Sequence, residues 1–137
     1  MNHLYIIEIK HKEKEALKEL LKVLHRERDA IISFSLEGIV QGNNRKEEIF
    51  NKLEQLKSEE KTIFKSVDDK NALFMSEAWK TLTAEIERTM KEIKTVLQKN
   101  MKLLSFSIDY TKSSMEHMLF VINKKAEERS VFFSKVI

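Results

Sequence analysis

Apolar residues recur along this chain at spacings of three and four, with polar residues between them. Leu4, Ile7, Leu17, Leu21, Leu24 and Ile31 form the first stripe, and His11, Lys14 and Arg28 sit in its gaps. Ala16, Leu20 and Val23 widen that face, while Lys10, Lys12, Glu15, Lys18, Lys22 and Arg26 take the opposite side. This is the period of an amphipathic helix, predicted from about residue 3 to residue 33. Ser33-Phe34-Ser35-Leu36-Glu37-Gly38 interrupts it. Serine favours the N-cap, where its hydroxyl accepts an unpaired backbone N–H, so a second helix is expected from about 36 to 67. Gly42-Asn43-Asn44 offers an alternative restart. The second stripe is Ile39, Val40, Ile49, Phe50, Leu53, Leu56, Ile63, Phe64 and Val67, and it stops at the polar turn Asp68-Asp69-Lys70-Asn71. A third stripe, Ala78, Leu82, Ile86, Met90, Ile93, Leu97, Leu104, Ile108, Met115, Met118 and Ile122, predicts a long helix. It spans about 73–125, starting near Ala72 or after Ser76, and leaves a tail at 126–137.

Composition narrows the fold. The 137 residues include no proline, no cysteine and two glycines, Gly38 and Gly42. Sheet-rich folds need turns, and turns need Gly, Pro or Asn-Gly pairs, so sandwiches, barrels and most α/β folds are excluded. No glycine-rich loop is present to cradle a phosphate. The absence of cysteine removes disulfide frameworks, zinc ribbons and thiol nucleophiles. The expected architecture is all-α: an elongated antiparallel three-helix bundle or coiled coil, one domain over 1–137, with an extra-long C-terminal helix. At the helical rise, that third helix would be roughly 75 Å long and the first two about 45 Å each. It must overhang its partners, or they must pack at different levels along it.

Charge and chemistry exclude more than they suggest. The chain has 25 Lys+Arg against 22 Asp+Glu, a formal charge of +3. The signs are interleaved and form no basic block, so no nucleic-acid footprint is expected. No apolar run is long enough for membrane insertion. The N-terminus meets Glu8 early and lacks a small-residue cleavage site, so no signal peptide is expected and the location expected is cytoplasmic. Glu8-Ile9-Lys10-His11 has Glu-x-x-His spacing, but a helical di-metal centre needs two such motifs and further inward carboxylates. The paired acids Glu59-Glu60 and Asp68-Asp69 lie in solvated settings, and no Ser/His/Asp set has supporting turn chemistry. No catalytic residue, metal site or cofactor is expected, and the chain does not read as an enzyme.

The most informative feature begins at Asn100. Residues 77–99 are dense in charge, whereas residues 101–122 carry only Lys102, Asp109, Lys112 and Glu116. Leu104, Ile108, Met115, Met118 and Ile122 continue the bundle stripe. Beside them runs a second stripe of Leu103, Phe106, Tyr110, His117 and Val121. Two shorter partner helices cannot hide both, so an exposed apolar face is expected, and such faces mark interaction sites. Either a symmetric copy or the ends of the first two helices cover it, or a partner's helix binds it. Met101, Met115 and Met118 suit a surface that accepts varied apolar partners. After the Lys124-to-Arg129 spacer, Phe132, Phe133, Val136 and Ile137 either fold back onto the bundle or act as a short docking peptide.

The chain resembles a known family. The residues that carry the likeness are Glu27-Arg28-Asp29-Ala30-Ile31, the start Ser35-Leu36-Glu37-Gly38-Ile39, and the Lys-Glu-rich run Arg45 to Leu56. Asn100-Met101-Lys102-Leu103-Leu104-Ser105-Phe106-Ser107 and the terminal Val131-Phe132-Phe133-Ser134-Lys135 add to it. Together they are similar to FlgN-type flagellar export chaperones, over nearly the whole chain. The sequence departs from that pattern in lacking a glycine-rich tail and in having Phe where Tyr is usual. The resemblance implies a cytosolic, non-enzymatic chaperone of flagellar type III secretion, with hook-associated (hook–filament junction) proteins as clients and the export apparatus as destination. The client face is then expected at Leu103, Phe106, Tyr110, Met115, His117 and Val121, with Phe132 and Phe133 as secondary contacts. The alternative is a scaffolding coiled coil that forms a homodimer through the same face.

Overall fold

The computed structural model describes the backbone of residues 2–136 and the side chains of residues 3–129. Among the described residues there are four helices and no strand: α1 (Asn2–Ile32), α2 (Leu36–Phe64), α3 (Lys70–Met75) and α4 (Glu77–Val136). Helix α3 is an addition to the three expected helices. The positions near Ala72 and after Ser76 are both helical starts, the first capped by Asp69, whose carboxylate accepts from the Ala72 N–H. Ser76 closes α3 by donating to the Leu73 carbonyl, and its hydroxyl accepts from the Trp79 N–H at the head of α4. Backbone helix continues through 126–136, where a tail was expected. Val131, Phe132 and Phe133 have side chains outside the described ones. The chain divides into two units, residues 1–101 and residues 102–137.

In the first unit, α1 and α2 join through a tight turn. Phe34 adopts a left-handed backbone at φ 55°, a conformation usually left to glycine. The Ser35 N–H reaches back to the Ala30 carbonyl and the Phe34 N–H to Ile31, the paired bonds of a Schellman stop. Ser35 then caps α2, its hydroxyl accepting from the Gly38 N–H at 3.1 Å. Gly42-Asn43-Asn44 stays inside α2. A β-carbon built on Gly38 would lie 2.9 Å from the Ala30 β-carbon, so this glycine lets the two helices close on each other beside the turn.

Cross-helix pairs set the directions. Lys10 meets Glu60 and Lys46 meets Glu27, so α1 and α2 are antiparallel. Lys14 and Lys18 meet Glu85 while Asn100 reaches Leu24, so the first part of α4 runs parallel to α1. The result is an up-down-up bundle. Its α1 seam is a regular heptad: Ile6, Ile9, Glu13, Ala16, Leu20, Val23, Glu27 and Ala30 are all buried at alternating steps of three and four. Leu4, expected on the stripe, is exposed instead. The pattern was disguised because Glu13 and Glu27 occupy seam positions. On α4 the same register holds Leu82, Ile86, Thr89, Ile93 and Asn100.

These polar seam residues divide the core. The main cluster gathers Leu17, Leu20, Leu24, Ile49, Ile86 and Ile93, and a smaller one joins Ile6, Val67 and Leu73 with Trp79 packed against it. Each fully buried aliphatic side chain contributes about 1.5–3 kcal/mol. Glu13, Glu60 and Lys10 form a polar layer, and Glu27, Lys46 and Asn100 form another. Asn100 is only 2% exposed, and its amide donates to the Leu24 carbonyl at 2.8 Å and to Glu27 at 3.2 Å. A single polar residue in an apolar seam is the device by which coiled coils fix register.

Candidate functional site

The second unit is described as one stretch of helix, residues 102–136 of α4. Between residues 102 and 122 its charges are Lys102, Asp109, Lys112 and Glu116, spaced by 7, 3 and 4, which puts these four on one side of the helix. The remaining arc is apolar and open. Phe106 is 72% exposed, Tyr110 61% and Met115 59%. His117 is exposed, and Leu103 and Val121 are half-buried. Leu103, Phe106, Tyr110, His117 and Val121 share one face by their spacing. Met115 lies on the neighbouring stripe. Phe132 and Phe133, expected as secondary contacts, lie outside the described side chains.

One expectation here is corrected. Leu104, Ile108, Met115, Met118 and Ile122 were placed on a stripe turned to the bundle, yet they are exposed, as are Leu119 and Phe120. Periodicity reports that a face is apolar, but burial also requires a facing helix. The confinement of all four charges to one arc was the signal that would have found the wider face.

A second surface lies within the first unit, along the seam between α2 and α4. Among the described residues no hydrogen bond or ion pair joins these two helices, in contrast to the bonded α1/α2 and α1/α4 seams. The seam opens into two adjoining grooves of about 460 Å³ and 570 Å³ that share Leu17, Leu53 and Met90. Ile93 and Leu97 extend the apolar floor at one end. At the other end Phe64 stacks on Phe74 at 5.8 Å, and Phe74 tilts against Trp79 at 5.4 Å. The Lys10 ammonium sits 5.3 Å from the Trp79 ring centre. Met90, expected in the core, is 55% exposed on this groove.

The charged layer beneath the groove is tightly coupled. Burial, then the hydrogen bond with Glu60, pushes the Glu13 carboxyl up to about 7. Burial works against Glu60 too, but the hydrogen bonds from Glu13 and Lys10 hold it below the ordinary carboxylate range. Burial also opposes the Lys10 charge, and the hydrogen bond to Glu60 with the nearby carboxylates outweighs it and holds its pKa up. The arrangement is a carboxylic acid donating to a carboxylate that an ammonium also pairs. It balances charge inside a bundle. No group of three or more His, Cys, Asp or Glu among the described residues is placed to hold a metal. No helix of the described residues is long and apolar enough to cross a membrane.

Among curated proteins and solved structures nothing matches the chain. A family model described as FlgN protein matches residues 1–126.

Proposed function

The chain belongs to the FlgN family of flagellar export chaperones, and on that premise we propose that it holds hook-associated proteins in the cytosol and delivers them to the export gate. The observation that carries this reading is the open apolar face of residues 103–121, with every charge of that segment turned to the other side. An amphipathic terminal segment of a client, disordered when free, would lie along Leu103, Phe106, Tyr110, Met115, His117 and Val121 and fold as it binds. Phe132 and Phe133 would add secondary contacts. Coverage of the client's own assembly surface would stop premature polymerisation.

Phe106→Asp with Tyr110→Asp tests the face directly. Desolvating two aromatic rings is worth several kcal/mol, so the double variant should bind a purified hook-associated protein at least tenfold more weakly. Both positions are exposed, so helicity by circular dichroism should be unchanged. Unchanged client affinity in a fully helical variant would refute the reading. The breadth of the apolar arc favours one alternative, a scaffolding coiled coil that dimerises through the same residues. Light scattering at micromolar concentration separates the two: a tight dimer that the double variant abolishes supports the scaffold.

A further inference from the structure

We propose that the α2/α4 groove is a docking site for a partner protein's amphipathic helix, about twenty residues long, with an apolar face and acidic flanks. The inference concerns the first unit and does not depend on the client reading, whose surface is residues 103–121.

The length follows from the lining. Along α4 the groove extends from Trp79 to Gln98, roughly 28 Å at the helical rise, which a helix of about twenty residues spans. The floor is apolar, and the Phe64–Phe74–Trp79 end supplies flat surfaces for aliphatic anchors. Helix-in-groove recognition uses such a floor, read at i, i+3, i+4 and i+7.

The charge follows from the rim. Lys57 and Lys61 on α2 and Lys94 on α4 line the groove and are exposed. Among the described residues Lys61 and Lys94 make no ion pair. The two acids of the lining, Glu13 and Glu60, are engaged with Lys10 in the layer below. Lys57 lies close enough to Glu60 to help hold its carboxylate charged, so the rim presents Lys61 and Lys94 without an ion-pair partner among the described residues and favours acidic flanks on an incoming helix. A second copy of this chain is a poor occupant by the same measure. Over residues 102–129 its C-terminal helix carries five basic residues (Lys102, Lys112, Lys124, Lys125 and Arg129) and four acidic ones (Asp109, Glu116, Glu127 and Glu128), so that segment has no net acidic charge to offer the rim.

Trp79 is the only tryptophan and lines the groove, so its emission reports occupancy. Two sets of twenty-residue helical peptides, sharing one Leu/Phe face and flanked by Glu or by Lys, are titrated into the full chain at about 50 mM salt, where screening is weak. The expected result is saturable binding of the Glu-flanked set with a shift in Trp79 emission, about tenfold tighter than the Lys-flanked set. The exposed triple change Lys57→Glu, Lys61→Glu, Lys94→Glu should reverse that preference. Met90→Glu, at a half-exposed floor position, should weaken both sets while helicity is kept. Equal affinity for the two sets, or no binding by either, overturns the proposal. So does a dimer of the unliganded chain that Met90→Glu dissociates, which would give the groove to a second copy.

Discussion

Glu13→Gln should change how stability depends on pH. Glu13 occupies a heptad seam position, and its side chain is nearly withdrawn from water between Lys10 and Glu60. Its carboxyl titrates near 7 when folded, against an ordinary value of 4.5. The folded protein therefore holds this proton more tightly than the unfolded chain does. Stability from this group is full below about pH 4.5 and falls as pH rises toward 7. A shift of that size corresponds to about 3 kcal/mol at most. Sharing of the proton with Glu60 and residual access to water reduce it to about 1–2 kcal/mol. Glu60 acts in the opposite sense. Its folded value is depressed, so its contribution is present above pH 4.5 and is lost only at lower pH. Between pH 5 and 8 the Glu13 effect stands alone within this layer. Gln keeps the shape and can donate its amide to Glu60, but cannot ionise. Urea denaturation followed by circular dichroism at pH 5, 6, 7 and 8 gives the test. The native chain should lose about 1–2 kcal/mol more than the Gln variant over that range, and the variant should be the more stable at pH 8. Parallel pH profiles would refute the reasoning, because Glu13 would then be ionised in the folded state.

Gly38→Ala should destabilise by about 1–3 kcal/mol in the same assay, because the new methyl would meet Ala30 at 2.9 Å and the overpacking outweighs the better helix propensity. Phe34→Gly should stabilise by about 0.5–1 kcal/mol, since it relieves a left-handed φ at an exposed side chain, with the greater freedom of glycine in the unfolded chain offsetting part of the gain. Asn100→Ala should cost about 2–3 kcal/mol in urea denaturation through a cavity and lost bonds to Leu24 and Glu27, whereas Asn100→Leu should cost less, because it loses the same two bonds but fills the space and removes a buried carbonyl oxygen that has no hydrogen-bond partner.

Much of the fold was legible before any coordinates. The lack of proline and the scarcity of glycine leave little but helix, and Ser35, Asp69 and Ser76 are capping residues at three helix starts. The drop in charge after Asn100 marks the helix whose apolar residues are exposed. Those readings depend on backbone hydrogen bonding and on side-chain period, which are local. Tertiary structure alone decided three other matters. It put Ile6 and Ile9 in the core and left Leu4 outside, because the phase of a stripe is set by the helices that face it. It showed Glu13, Glu27 and Asn100 to be seam residues, since a charge can be buried only where a partner on another helix meets it. It also left α2 and α4 without a hydrogen bond or ion pair to each other among the described residues, beside the groove at Trp79 and Met90. Sequence determines which faces are apolar, and only packing determines which of them are covered, because burial requires a second surface that no single helix supplies.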